Sequence, residues 1–267
     1  MIIFTKSGTG WQQTQTLTEH TSKVLSIDWA PQSNRIVSCG ADKNAYVWSL
    51  DETSQMWRPE LVVLRINRAA TCVKWSPNEK KFAVGCGHRC ICVCYFEPTQ
   101  CFWVAKHLKK QIKSTTLCLD WHPNNVLIAA GGTDFKCRLF CAYIKDVDGQ
   151  PQPPSAWGNL STPADCIAEY SALNHGWIYS CAFNPSGTVL GYVAHDSCVY
   201  MIDSTRNPKE IISMRTPFLP FLSFRFLSDK TAIAAGHDCF PVVFSLNGNQ
   251  INLVEKLEVS SNRQSTG

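Results

Sequence analysis

Two histidine–aspartate pairs, His195-Asp196 and His237-Asp238, are the first residues of this chain whose types suggest proton transfer. A histidine beside a carboxylate can serve as a general base, but covalent catalysis also needs a serine or cysteine nucleophile held on a strained elbow. No Gly-x-Ser-x-Gly occurs. Cys90-x-Cys92-x-Cys94 raises metal binding. Structural zinc takes cysteine pairs two to four residues apart plus two further ligands, whereas alternate residues of a strand point to one face. The expectation is therefore no metal, with three sulfurs in a row packing against the sheet that follows. Pro151-x-x-Pro154, in the segment Asp148 to Trp157, has the spacing that docks SH3-type grooves. With no arginine beside it, it reads as a plain loop. Two basic groups remain, Arg65-x-Asn67-Arg68 and Lys106-His107 with Lys109, Lys110 and Lys113. Such runs are solvated by default and gain a contact role only if the fold brings them to one surface.

What positions these residues follows first from size and composition. A chain of 267 residues, 45% hydrophobic and 17% charged, can bury a sizeable core. Its 25 lysines and arginines exceed its acids by four, which argues against nucleic acid or an anionic membrane as the main partner. No apolar run approaches the ~20 residues of a bilayer span. The opening Met-Ile-Ile-Phe-Thr-Lys is too short for a signal h-region. The 14 cysteines sit largely among apolar strand residues, as at Cys39, Cys72, Cys118 and Cys181. They read as small hydrophobes in a reducing, cytoplasmic setting, where the acceptor Asn159-Leu160-Ser161 is inert.

The chain then repeats itself. VLSIDWAPQSNRIVSCGADKNAYVW, TCVKWSPNEKKFAVGCGHRCICVC, LCLDWHPNNVLIAAGGTDFKCRLF, SCAFNPSGTVLGYVAHDSCVYMI and LSFRFLSDKTAIAAGHDCFPVVF align on Trp29, Trp75, Trp121, Phe183 and Phe226. A turn residue follows each aromatic by thirteen positions, or twelve in the last unit: Asp42, His88, Asp134, Asp196 and Asp238. Six further on comes Trp48, Cys94, Phe140, Ile202 or Phe244. Alternation within each unit gives three strands. Leu61 to Ile66, Phe102 to Leu108, Glu210 to Met214 and Leu253 to Val259 read as fourth strands. Four strands per unit of about 40–50 residues mark a β-propeller blade, which buries its faces only by stacking on neighbours. The predicted fold is an all-β, WD40-type propeller of five complete blades and a half blade. Residues 1–18 form the partial blade; 19–66, 67–108, 112–147, 175–214 and 218–259 form blades; 148–172 is an inter-blade loop and 260–267 a tail. An aspartate in a tight turn accepts neighbouring backbone N–H groups. His20, Ser38, Asp42 and Trp48 are therefore expected to form one satisfied polar network. His175 with Asp196 reads as a partial version, and His88 replaces the acid in the second unit. Catalysis at the His-Asp pairs is disfavoured, because both fall on this repeated turn.

LRINRAATCVKWSPNEKKFAVG, LDWHPNNVLIAAGGTDFKCRLFCAYIKDVD and AAGHDCFPVVF resemble the WD-repeat subunit family of the actin-related protein 2/3 complex, and the likeness runs along essentially the whole chain. The resemblance implies a non-catalytic propeller in the multisubunit assembly that nucleates branched actin filaments, with no cofactor of its own. Its implied partners are the other subunits, actin and nucleation-promoting factors. It implies a structural tetrad at His20, Ser38, Asp42 and Trp48, closed here by Trp48-Ser49 in place of Trp-Asp. The family adds a seventh blade with a protruding helical insert, which this sequence does not display. The expectation is two exposed edge strands and poor solubility of the isolated chain. Loops between blades share one rim, so Arg65, Arg68, Lys109, Lys110 and Lys113 are the expected partner-contact residues. Two rivals are another WD-repeat adaptor, such as a ubiquitin-ligase substrate receptor, and a propeller-shaped hydrolase. The first needs an adaptor-binding segment, the second converging carboxylates or metal ligands at the central channel.

Overall fold

Strand alternation governs the computed structural model, which describes residues 1–150, 155–160, 162–206 and 210–257. β1 (Ile2–Ser7) and β2 (Gly10–Thr16) pair as a two-stranded sheet. Five four-stranded antiparallel sheets follow. The first comprises β3 (Val24–Ala30), β4 (Arg35–Gly40), β5 (Ala45–Asp51) and β6 (Met56–Val62). The second comprises β7 (Ala70–Trp75), β8 (Lys81–Cys86), β9 (Ile91–Glu97) and β10 (Phe102–Leu108). The third comprises β11 (Thr116–Trp121), β12 (Leu127–Gly132), β13 (Lys136–Cys141) and, beyond the single-turn helix α1 (Lys145–Asp148), β14 (Cys166–Ser171). β15 (Ile178–Phe183), β16 (Val189–Ala194), β17 (Cys198–Asp203) and β18 (Ile212–Arg215) make the fourth. β19 (Phe221–Phe226), β20 (Thr231–Gly236), β21 (Pro241–Asn247) and β22 (Gln250–Lys256) make the fifth.

The inner strands β3, β7, β11, β15 and β19 pack one after another, so the sheets stand radially as blades. This is the all-β, WD40-type propeller. Among the described residues no hydrogen-bonded sheet joins β19 to the first strands. The second strands of the second, third and fourth blades, β8, β12 and β16, are covered on both sides and buried from end to end. That is why these strands read as near-continuous apolar runs. Gly131 shows how close the stacking is: a Cβ there would sit 2.5 Å from Ile178 Cγ2 on the next blade.

Polar side chains tie each inner strand to the next. Ser26 Oγ accepts the Val73 N–H (3.2 Å) and Asp28 Oδ2 the Trp75 N–H (2.8 Å). Asp120 Oδ2 accepts the Phe183 N–H (2.8 Å), and Ser180 Oγ the Phe224 N–H (3.1 Å). A second tie joins the first hairpins. Glu79 accepts the N–H groups of Gln32 (2.8 Å) and Ser33 (2.6 Å), and Asn125 Oδ1 accepts that of Asn78 (2.7 Å). Asp229 Oδ1 likewise accepts the Ser186 N–H (2.9 Å). These bonds satisfy turn amides that a hairpin cannot pair internally.

Several expectations are corrected. The third blade is completed by β14, which lies inside the stretch expected to be a loop. Its residues are mostly half-exposed, as befits an outer strand, so no apolar run announced it. The fourth strand of the first blade is Met56–Val62 rather than Leu61 to Ile66. Pairing to β5 fixes it, whereas the apolar residues beyond Val62 drew the sequence reading outward. The outer strands expected at Glu210 to Met214 and Leu253 to Val259 are Ile212–Arg215 and Gln250–Lys256. Phe102–Leu108 is as expected. The recurring aromatic is buried at Trp75, Trp121 and Phe183, but Trp29 is 60% exposed on the β3 face that also shows Leu25 and Ile27. Pro151 to Pro154 and 260–267 lie outside the described residues.

Candidate functional site

Antiparallel pairing decides which loops share a rim. The hairpins between second and third strands, Gly87 to Cys90 and Thr133 to Phe135, lie at the same end as the connectors 63–69 and 109–115. At this end of the first blade four side chains form a chain of hydrogen bonds. Trp48 Nε1 donates to Ser38 Oγ (2.9 Å), Ser38 Oγ lies 2.8 Å from His20 Nε2, and His20 Nδ1 lies 2.8 Å from Asp42 Oδ2. The Asp42 carboxylate can only accept, so His20 Nδ1 donates to it; in a neutral ring Nε2 is then the acceptor, and the Ser38 hydroxyl donates to it. Asp42 also accepts the Thr21 N–H (3.2 Å), so the network anchors the incoming connector.

The other turn residues vary this role. His88 Nδ1 accepts the Asn67 N–H (3.1 Å) and Asp238 Oδ2 the Leu219 N–H (2.7 Å), each taking an amide of the incoming connector as Asp42 does. Asp134 faces Arg138 at 2.7 Å, while its own N–H donates to Ser114 Oγ. Asp196 accepts from the Tyr200 hydroxyl (2.5 Å) and the Cys198 N–H (3.1 Å). The expected His175 partnership is replaced: that ring stands edge-on to Phe135. Tyr200 takes the carboxylate instead, because it reaches the turn from the adjoining strand.

The predicted basic residues divide. Arg68 and Lys113, from two successive connectors, line one depression of about 470 Å³ together with Arg89 and His88. Arg65 stands apart, exposed and donating to the Ala105 carbonyl (2.8 Å), beside an apolar groove of Leu61, Val63, Phe102 and Val104. Lys110 pairs with Asp165 at 2.7 Å on the exposed surface, and Lys109 is exposed. Lys106 lies over the Tyr95 ring and near Asp146, and His107 Nε2 contacts the Leu64 carbonyl. Arg89 was missed because the repeat marks its neighbour His88 as a turn residue and says nothing of the next side chain. Assigning that hairpin to the connector rim would have found it.

The other chemical candidates resolve into packing. Cys90, Cys92 and Cys94 are fully buried and belong to the core between first and second blades, so they face the preceding sheet and not the following one. Cys86 Sγ lies 3.5 Å from Cys90 Sγ. Among the described residues no three His, Cys, Asp or Glu side chains are placed to hold a metal ion. His195 Nδ1 meets the Tyr179 hydroxyl (2.9 Å) rather than a carboxylate. The most perturbed acid lies on an inner strand. Burial pushes the Asp120 carboxyl up to about 7, against the Phe183 N–H and the cations Arg225 and Lys74. Arg225 Nη1 stands 3.8 Å from it.

Comparison with known proteins matches this geometry. The WD domain, G-beta repeat family matches residues 11–49, 106–141 and 165–203. Each span opens at the outer strand of one sheet and ends on the third strand of the next, including β14. Actin-related protein 2/3 complex subunit 1A-A of Xenopus laevis is 50% identical, over 99% of this chain and 70% of its own length. Actin-related protein 2/3 complex subunit 1 of Schizosaccharomyces pombe is 42% identical, over 93% of this chain and 65% of its own. Subunit 1A of Arabidopsis thaliana is 38% identical over 94% and 67%.

Proposed function

The chain belongs to the family of actin-related protein 2/3 complex subunit 1, and from that premise we propose that it is a non-catalytic scaffold subunit of that complex. Its part in nucleating branched actin filaments is to hold other subunits through surface contacts. The likeness along 99% of the chain carries this reading. A propeller suits the role because stacked blades fix the rim loops rigidly, so binding costs little ordering entropy. The proposed contact residues are Arg65, Arg68, Lys109, Lys110 and Lys113. The exposed Lys110–Asp165 pair is worth at most about 1 kcal/mol, so an acidic partner can displace it. Actin and nucleation-promoting factors are proposed as further partners, and the actin cytoskeleton of the cytoplasm as the location.

Affinity-tagged chain expressed in cells provides the test. Both actin-related proteins should co-purify with it at salt concentrations that remove non-specific binders. Recovery of the folded chain without them overturns the assignment.

A further inference from the structure

Arg68, Arg89 and Lys113 border one rim depression, and none has a carboxylate partner among the described residues. We propose that this depression binds a phosphate dianion, presented as a phosphoserine or phosphothreonine side chain of a partner protein. The inference rests on the reading of this rim as partner-facing and adds the chemistry of what is bound.

The less exposed cations on the strands have acid partners. Lys74 pairs with Asp28, Lys81 with Asp148, and Arg138 with both Asp134 and Glu169. Arg68, Arg89 and Lys113 differ in being exposed, and they converge on one depression of about 470 Å³. The acid nearest in sequence, Asp134, is already engaged by Arg138 at 2.7 Å.

The remaining lining supplies further donors. Ser114 Oγ accepts the Asp134 N–H (3.0 Å), which leaves its hydroxyl proton free to donate. His88 Nδ1 accepts the Asn67 N–H (3.1 Å), which places the neutral ring's proton on Nε2. Among the described residues no acid lines the depression. Phosphate matches this set better than carboxylate. It carries nearly twice the charge and three strong acceptor oxygens, and it takes arginine in bidentate fashion. Among the described residues no aliphatic side chain, and no aromatic ring other than the His88 imidazole, lines the space, so a nucleobase or acyl chain finds no apolar seat there. A phosphorylated side chain needs none.

The test uses the purified intact chain and labelled peptides of the form Gly-Gly-X-Gly-Gly, read by fluorescence anisotropy. X is phosphoserine, serine or glutamate. The phosphoserine peptide is expected to bind at least about tenfold tighter than the glutamate one. Inorganic phosphate should compete. Arg89→Gln and Lys113→Gln should each weaken binding about three- to tenfold. Both side chains are exposed, so melting temperatures should not move. Equal affinity for phosphoserine and glutamate, or no loss in an R68Q/R89Q/K113Q chain that melts normally, overturns the proposal. So does binding to phosphoinositide vesicles without binding to the peptide. The two readings fail separately. Loss of co-purifying actin-related proteins counts against the scaffold assignment, while unchanged phosphopeptide affinity in the variants counts only against the pocket.

Discussion

Replacing Lys81 tests the packing of the second blade on the third. Its ammonium is fully buried, 2.5 Å from Asp148 Oδ2 and 2.9 Å from the Ala142 carbonyl, and it lies over the Trp121 ring. The Asp148 side chain is 4% exposed and also accepts the Ile144 N–H at 2.7 Å. Lys81→Met keeps the stem volume but leaves the carboxylate buried beside one amide. Breaking a buried pair from one side costs about 3–5 kcal/mol. For a chain of this size each kcal/mol shifts the melt by about 2–4 °C, so a fall of about 6–20 °C is expected. Asp148→Asn should cost less, because its carboxamide oxygen still accepts from Ile144 and Lys81. In K81M/D148N the cycle should return a coupling energy above about 1 kcal/mol. Urea unfolding and thermal melts of the four proteins supply the numbers. A Lys81→Met protein within about 1 kcal/mol of the parent would refute the reasoning, since the pair would then be wet and weak.

Glu79→Ala removes the acceptor of two turn amides and should cost about 3 kcal/mol by urea denaturation, with Glu79→Gln intermediate. Asp120 supplies a pH signature. Its folded carboxyl titrates at about 7, above the unfolded value, so the folded chain holds a proton that the unfolded chain releases between about pH 4 and 7. Stability therefore falls as pH rises through that window, by up to about 2 kcal/mol between pH 5.5 and 7. Asp120→Asn should flatten that slope, and an unchanged slope assigns it to another group. Of the 14 free cysteines, Cys101 and Cys239 are the exposed ones. Brief alkylation of the native protein followed by mass spectrometry should label these two first, and early labelling of Cys92 or Cys94 would show the blade interface open.

How much of this was legible depended on whether a residue's job repeats. Trp75, Trp121 and Phe183 serve the same packing role in successive blades, so their spacing exposed the architecture. Asp42 was legible for the same reason, since its bonds to His20 and Thr21 stay within one unit. Residues whose partners lie in another blade were hidden. Glu79 sits in the turn of its own unit, where nothing in the repeat marks it, yet it caps the hairpin of the blade before it. Lys81 follows Lys80 in the sequence, and nothing local reveals that Asp148 meets it in the core. β14 was missed because an outer strand needs only one covered face. At the rim, Arg68 and Lys113 were found from their connectors, but Arg89 required knowing which hairpin stands between them.

An electron cryo-microscopy map of this chain bound to the actin-related subunits bears most directly on the account. It should show radial four-stranded sheets with β14 completing the third, and a partner against the rim that carries Arg68, Arg89 and Lys113. Sheets stacked as a flat sandwich, or a folded chain with that rim and the Arg65 groove both bare, would contradict it.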